Sequence, residues 1–372
     1  MTSLAGRNAL RRYSRHLLIP EVGLAGQERL SAARVLCIGA GGLGSPVLSY
    51  LAAAGVGRLG IMDDDTVDET NLQRQTLFAT PDIGRSKVEV AAERLRAMNP
   101  QIAVDPIPVR FDVSNARELV RLYDVVVDCT DRFETRYLIN DACVLEGKPD
   151  VYASIFRFDG QVSVFGLPGA PCYRCLFPDP PPANSVPTCA EGGVLGVLAG
   201  MVGTFQANET LKVLLGIGEP LSGRLLLIDA LQGGSRTIAF ARDPNCGLCG
   251  EHPSISDARE MVLSEEPVTA DVAEVDAAQL DEAMRHATLL DVREPHEAVL
   301  GLIGGSIHIP VSELEARMHE LDTATPYIVA CRVGQRSRWA VQRLHDAGFR
   351  KISHLRDGLL TYAARNAGFD FF

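Results

Sequence analysis

The sequence predicts an α/β protein of two domains. Three observations carry that expectation. The chain has 372 residues, more than one typical domain. Its first half alternates continuous apolar runs with helically spaced segments, as a largely parallel sheet covered by helices requires. After a polar, acidic interruption, its last roughly 100 residues repeat that rhythm.

The elements follow in order. "RVLCIG" (34–39) is apolar throughout, as a strand buried on both faces must be. "SPVLSYLAAAG" (45–55) has helical spacing and stops on glycine. "RLGIMD" (58–63) is a second strand, and "GRSKVEVAAERLRAMNP" (84–100) a helix with a charged face, closed by Asn99-Pro100. "YDVVVDCTD" (123–131) is a later strand ending in acids. "GQVSVFGLPGAPCYRCLF" (160–177) reads as strands and a turn-rich excursion, with proline clusters at 178–187. "RLLLIDALQGGSRTIAFARDPNCGLCG" (224–250) reads as antiparallel strands finishing the first domain, whose sheet is therefore mixed. The expected division is a first domain at 1–252, a linker at 253–270 and a second domain at 271–372. The second contains "TLLDVRE", "SIHIPVSELEARM", "PYIVACRVGQRSRWAVQRLHDAGF" and "KISHLRDGLLTYAARN".

Composition excludes several classes. The net charge of −11 argues against a broad nucleic-acid or membrane surface. The start, "MTSLAGRNALRRYSRH", has no signal-like apolar core. The most apolar run, "GGVLGVLAGMVG" (192–203), is short and glycine-broken, so no membrane span is expected. The expected compartment is the cytoplasm, where the nine cysteines are reduced, metal-bound or catalytic rather than disulfide-paired.

"GAGGLG", Gly39 to Gly44, fits G-x-G-x-x-G between a strand and a helix. Missing Cβ atoms at Gly39, Gly41, Gly42 and Gly44 let backbone N–H groups approach a phosphate at a helix N-terminus. Asp63 ends the next strand, where a ribose-binding acid belongs. A tight turn without ligand and an NAD-linked oxidoreductase share this pattern. Arg74 in "NLQRQ", Lys87 and Asp131 favour ATP: two cations balance a triphosphate, and a carboxylate holds Mg2+. The plain alternative makes Arg74 and Lys87 solvated surface charges.

Cys172-x-x-Cys175 and Cys246-x-x-Cys249 offer four thiolates for a tetrahedral zinc ion (Zn2+) with no open position. Such a site would tie the proline-rich excursion to the end of the first domain. Cys37, Cys129 and Cys143 lie in apolar patterns and read as core residues. Cys189, in "VPTCAEGGVLG", lies among proline and glycines; it is either an inert thiol or a reactive one on a loop. Near the other end, "CRVGQRS" sets Cys331 between a strand and a helix. Inward-turned loop N–H groups, the helix N-terminus, Arg332 and Arg336 all favour a thiolate and an anionic persulfide there. Gly334 and Ser337 complete that loop.

The motifs "GAGGLGSPVLSYLAAAGVG", "DDDTVDETNLQRQTLF", "GRSKVE", "DCTDRFETRYLIND" and "CAEGGVLG" occur in order over roughly residues 10 to 252. Together they resemble the ThiF/MoeB/HesA family of ubiquitin-activating-enzyme relatives. The resemblance implies a Rossmann-like domain that binds ATP and adenylates the C-terminal glycine of a ubiquitin-like sulfur-carrier protein ending in Gly-Gly. By matching motif, ATP contacts fall on Gly42, Asp63, Asn71, Arg74, Lys87 and Asp131, with Asp63 on the ribose and Asp131 on the metal. Arg15, in "RYSRH", matches an arginine that reaches the partner's site in a homodimer. Cys189 matches a cysteine that bonds the carrier, as a thioester in protein-modifier activation or in an acyl disulfide. Arg132 departs from the family's usual asparagine.

"LLDVREPHE", "GSIHIPVSEL", "CRVGQRS" and "DGLLTY" resemble the rhodanese domain over about residues 270 to 372. That resemblance makes Cys331 the sulfur-carrying residue, loaded by a donor such as a cysteine desulfurase, and makes Asp291 and Arg293 structural. "GLIG" (301–304) departs from the family's Gly-His-Ile-Pro, which predicts a looser segment.

Overall fold

The protein is described by a computed structural model covering residues 11–180, 193–258, 272–299 and 301–366. It forms two compact units, one holding the described residues up to 258 and the other 272–366.

In the first unit, eight strands lie in the order β3-β2-β1-β4-β5-β6-β7-β8. These are β1 (Arg34–Ile38), β2 (Arg58–Met62), β3 (Ala103–Ile107), β4 (Val125–Asp128), β5 (Asp150–Phe156), β6 (Asp159–Phe165), β7 (Arg224–Asp229) and β8 (Gly234–Ala239). β3 through β5 pair parallel, and β5 through β8 pair antiparallel, so the sheet is mixed. Register sets Ile38 beside both Met62 and Asp128. The carboxyl ends of β1, β2 and β4 therefore meet where the chain reverses its direction of travel across the sheet, which opens a crevice there.

Around this sheet lie α1 (Gly23–Ala32), α2 (Gly44–Ala54), α3 (Lys87–Met98), α4 (Phe133–Leu145) and α5 (Gly196–Leu215). Val35 and Cys37 face one apolar cluster while Leu36 and Ile38 face another, which explains a strand with no polar alternation. The glycine-broken run 192–203 enters α5, a 20-residue helix. Glycine disfavours helix by about 1 kcal/mol per residue, but burial of Leu198, Ala199 and Val202 outweighs it. Gln206 of α5 also donates to the Asp128 and Val151 carbonyls at 2.6 and 2.7 Å, fixing the helix across β4 and β5. Among the described residues no helix is long and apolar enough to cross a membrane. Beyond 252 the chain returns to this unit: Asp257 pairs with Arg117 at 3.1 Å, and Ala258 is buried beside the α4 face of the core.

In the second unit, five parallel strands take the order β11-β10-β12-β13-β9. They are β9 (Ala273–Val275), β10 (Thr288–Asp291), β11 (Ile307–His308), β12 (Tyr327–Ala330) and β13 (Ile352–Leu355). Helices α6 (Gln335–Asp346) and α7 (Gly358–Arg365) follow β12 and β13. Leu290 and Val329 join one apolar cluster, Leu289 and Ile328 the other. "GLIG" is tied at two points: Ile303 is buried, and the Gly301 carbonyl accepts from Arg293 at 2.7 Å. Arg293 in turn forms a buried two-point pair with Asp291.

Candidate functional site

The crevice of the first unit is a cleft of about 360 Å3. Gly39, Gly41, Gly42, Asp63, Asn71, Arg74, Lys87 and Asp131 all line it, so residues from 39 to 131 converge on one cavity. Gly44 does not. A Cβ there would stand 2.2 Å from the Gly39 carbonyl oxygen, so this glycine serves close packing of α2 on β1 rather than contact with a ligand. Arg15 is exposed on the short helix Ser14–Leu17 and is not among the lining residues.

Asp63 already accepts two backbone N–H groups, from Ala40 at 2.8 Å and Asp65 at 2.9 Å. It ties the glycine loop to the end of β2, and each oxygen keeps a lone pair for a further donor. Burial raises its carboxyl above the ordinary value, against the opposing charge of Lys87. Lys87 opens α3 but is not a surface charge: its side chain is 6% exposed and its Nζ lies 2.7 Å from Asp65. Arg74 donates to the Thr70 carbonyl at 3.1 Å and has no carboxylate partner among the described residues. Of these two cations Lys87 is compensated by a carboxylate and Arg74 is not, and Arg110, Arg132 and Arg136 also line the cleft. Sequence reasoning missed Gln75, which lines the cleft with a buried, unbonded Oε1. It stands in the quoted "NLQRQ", but its burial depends on distant packing.

Cys37, Cys129 and Cys143 are buried, as core cysteines should be, although Cys129 also reaches the cleft. Cys189 lies outside the described residues.

Cys172, Cys175, Cys246 and Cys249 converge with their Sγ atoms within 4.8 Å of one another. Three of the separations are 3.8, 3.7 and 3.3 Å. A tetrahedron with zinc–sulfur bonds of about 2.3 Å has edges of about 3.8 Å. Burial pushes the Cys175 thiol up to about 11 and Cys172 higher still, while N–H groups of Cys249 and Leu248 bring Cys246 down despite burial. Four thiols so crowded ionise together only around a cation, so the set fits zinc.

In the second unit Cys331 is fully buried at the end of β12. The Gly334 N–H donates to its Sγ at 3.1 Å, and its thiol lies 3.5 Å from Ser337 Oγ. Gly334 has φ +92°, and a Cβ there would stand 2.0 Å from the Arg356 carbonyl oxygen, so only glycine closes this turn. The loop leads directly into α6, whose positive end lies at the loop. Arg336 departs from the expected free cation. Arg336 is clamped by Glu297 at 2.5 and 2.7 Å, so its charge is already paired. That pairing holds the Glu297 carboxyl below its ordinary value although burial works against it. Arg332 has no ion pair among the described residues.

Comparison with known sequences decides the family. The ThiF family model matches residues 13–248, well over half of the chain. The chain belongs to the ThiF family. A rhodanese-like domain matches residues 275–365. Among similar proteins, the sulfur carrier protein adenylyltransferase of Thermus thermophilus is 53% identical over 69% of this chain and 95% of its own length. The probable adenylyltransferase/sulfurtransferase MoeZ of Mycobacterium tuberculosis is 44% identical over 97% of this chain and 94% of its own. Adenylyltransferase and sulfurtransferase MOCS3 of Bos taurus is 41% identical over 97% and 87%. Among solved structures, E. coli MccB with MccA-N7isoASN superposes with a TM-score of 0.58 at 23% identity, over 65% of this chain and 74% of that one, which speaks to fold alone. This ThiF-family chain is an adenylyltransferase joined to a sulfurtransferase, and the NAD-linked alternative falls away.

Proposed function

We propose that this enzyme adenylates the C-terminal glycine of a ubiquitin-like sulfur-carrier protein ending in Gly-Gly, then converts it to a thiocarboxylate with sulfur held on Cys331. The observation that carries the reading is one chain holding both a cation-lined cleft and a thiol loop, with end-to-end relatives named for both activities. The relative from Thermus thermophilus is named for action on a sulfur carrier protein.

ATP lies with its phosphates toward Gly41 and Gly42 and its ribose at Asp63. The carrier carboxylate attacks the α-phosphorus, and pyrophosphate leaves. Arg74 and Lys87 stabilise the charge that accumulates there. Asn71 contacts the ATP, and Asp131 would hold Mg2+, which when bound neutralises phosphate charge. A cysteine desulfurase or similar donor loads Cys331. The persulfide displaces AMP from the acyl adenylate, giving carrier–CO–S–S–Cys331. A second thiolate, assigned to Cys189, attacks the Cys331 sulfur, releasing the thiocarboxylate and leaving a Cys331–Cys189 disulfide. Tethering both activities raises the effective concentration of the second over the first. The thiol chemistry suits a reducing cytoplasm.

A homodimer completes the site with Arg15 from a second copy. The exposed stripe Val197, Met201 and Phe205 along α5 supports that assembly. Sedimentation equilibrium should give twice the chain mass, and replacing Phe205 by glutamate should give the monomer. A wild-type monomer at micromolar concentration would remove Arg15 from the mechanism.

The function is tested by pyrophosphate exchange with carriers ending in Gly-Gly, followed by mass spectrometry of the carrier for replacement of oxygen by sulfur. Carrier-independent exchange would refute the assignment. Arg74→Ala should slow exchange by roughly 10²-fold or more, since it removes a cleft cation that no described carboxylate compensates. Exchange at the wild-type rate would show that Arg74 is only a solvated charge.

A further inference from the structure

A buried imidazole stands one hydroxyl away from the reactive sulfur. Ser337 Oγ, in the first turn of α6, lies 3.5 Å from Cys331 Sγ and 3.4 Å from His354 Nδ1 on β13. On its other side, His354 Nε2 lies 3.6 Å from Glu274 Oε1, on the adjacent strand β9 and directly opposite in register. Four side chains from four segments thus form a line from a buried thiol to a carboxylate 37% exposed at the surface. His354 itself is 5% exposed and touches no other described acid. "KISHL" gives no sign of this role, because the contact is made only when β13 lies beside β12.

We propose that His354 is a positioning residue for the sulfur chemistry, taking the Cys331 thiol proton through the Ser337 hydroxyl. This rests on the reading of Cys331 as the sulfur-carrying residue. The step balances without a further reactant. The S–H bond breaks and its proton joins Ser337 Oγ, while the hydroxyl's own proton passes to His354 Nδ1. A thiolate, a neutral hydroxyl and an imidazolium remain, and the imidazolium Nε2–H faces Glu274. The thiolate is the form that accepts sulfur from a donor persulfide. The proton returns when the thiol is regenerated.

The surroundings suit such a relay. At rest the Ser337 hydroxyl lies 2.9 Å from the Gly334 carbonyl, so a single rotation turns it to the imidazole. Glu274 favours the imidazolium, whereas Arg338 on α6 and Arg356 after β13 oppose it. Both arginines also engage Glu274, at 3.1 and 3.8 Å, which orients the carboxylate and moderates its pull. Burial, the largest influence, holds the imidazole below its ordinary value. At neutral pH His354 is therefore neutral, with a lone pair open to a proton.

The test is the pH dependence of Cys331 alkylation by iodoacetamide in the full chain, followed by peptide mass spectrometry. Limited access to the buried sulfur scales every rate alike, so the pH dependence reads protonation. His354→Asn and Ser337→Ala should each slow alkylation roughly tenfold at neutral pH, with the gap closing at alkaline pH. The double variant should be no slower than either single one. Glu274→Gln, at a partly exposed position, should move the profile the same way by less, and it decides the matter if His354→Asn melts out. Profiles that superimpose on wild type, or that are displaced equally at every pH, would overturn the relay. Alkylation does not require sulfur transfer, so a failed relay leaves the function of Cys331 standing. A Cys331 dispensable for thiocarboxylate formation would sink that function without altering these profiles.

Discussion

Cys331→Ala should adenylate the carrier at the wild-type rate yet lose thiocarboxylate formation from a persulfide donor by more than about 10³-fold, because the sulfur-bearing atom itself is gone. The separation of effects follows from the architecture. Cys331 belongs to an apolar cluster of second-unit residues, and the described residues that line the cleft belong to the first. The substitution removes the acceptor of the Gly334 N–H, which is buried, and so costs about 1–3 kcal/mol in that unit alone. Cys331→Ser separates packing from chemistry. It keeps an acceptor for Gly334 but carries no persulfide, and it should be as inactive as alanine. Inorganic sulfide supplied directly should restore thiocarboxylate in both variants, since the acyl adenylate is still made. Undiminished product from either variant with the persulfide donor would mean that sulfur reaches the adenylate by another route.

Much of this arrangement was legible in the sequence, for a physical reason. The strand–loop–helix at 34–55, the C-x-x-C pairs and the Cys331 loop are local: spacing within about ten residues fixes which backbone groups and side chains share a turn. β1, α2 and β2 appear where the apolar runs place them. What escaped depends on partners far along the chain. α5 is helical because its apolar face is buried, against the propensity of its glycines. β5, Asp150–Phe156, pairs with β4 and β6, and its short mixed sequence gave no sign of a strand by itself. The pairing of Lys87 with Asp65 and of Arg336 with Glu297 spans 22 and 39 residues. Such pairs decide whether a cation is available to a ligand, and no local pattern predicts them. Gly44 teaches the converse: it belongs to the phosphate-loop motif, yet its place is set by the Gly39 carbonyl behind it.

Replacing Cys246 by serine should remove close to one zinc ion per chain and lower the melting temperature of the first unit by about 10 °C or more, with nucleotide chemistry intact in the molecules that remain folded. The four thiols close a link between segments 74 residues apart, and around them Leu248 is buried with Val144, Leu145 and Ile255 packed alongside. With no ion between them, thiols that would carry like charge on ionising face one another at 3.3 to 3.8 Å, and the packing about them would lose its centre. The Asp243 N–H, 3.4 Å from Cys175 Sγ, shows the cluster supported by backbone as structural thiolate sites are. A zinc ion held by these thiolates would have all four tetrahedral positions filled by protein, with no place for water or substrate, and none of the four cysteines lines the cleft. The two readouts therefore separate the possible roles. A structural ion predicts a lower melting temperature with exchange per folded molecule preserved. A catalytic ion predicts lost exchange at an unchanged melting temperature. Metal analysis that finds no zinc in the wild-type chain, together with an unaltered melt for Cys246→Ser, would reduce the cluster to four packed thiols.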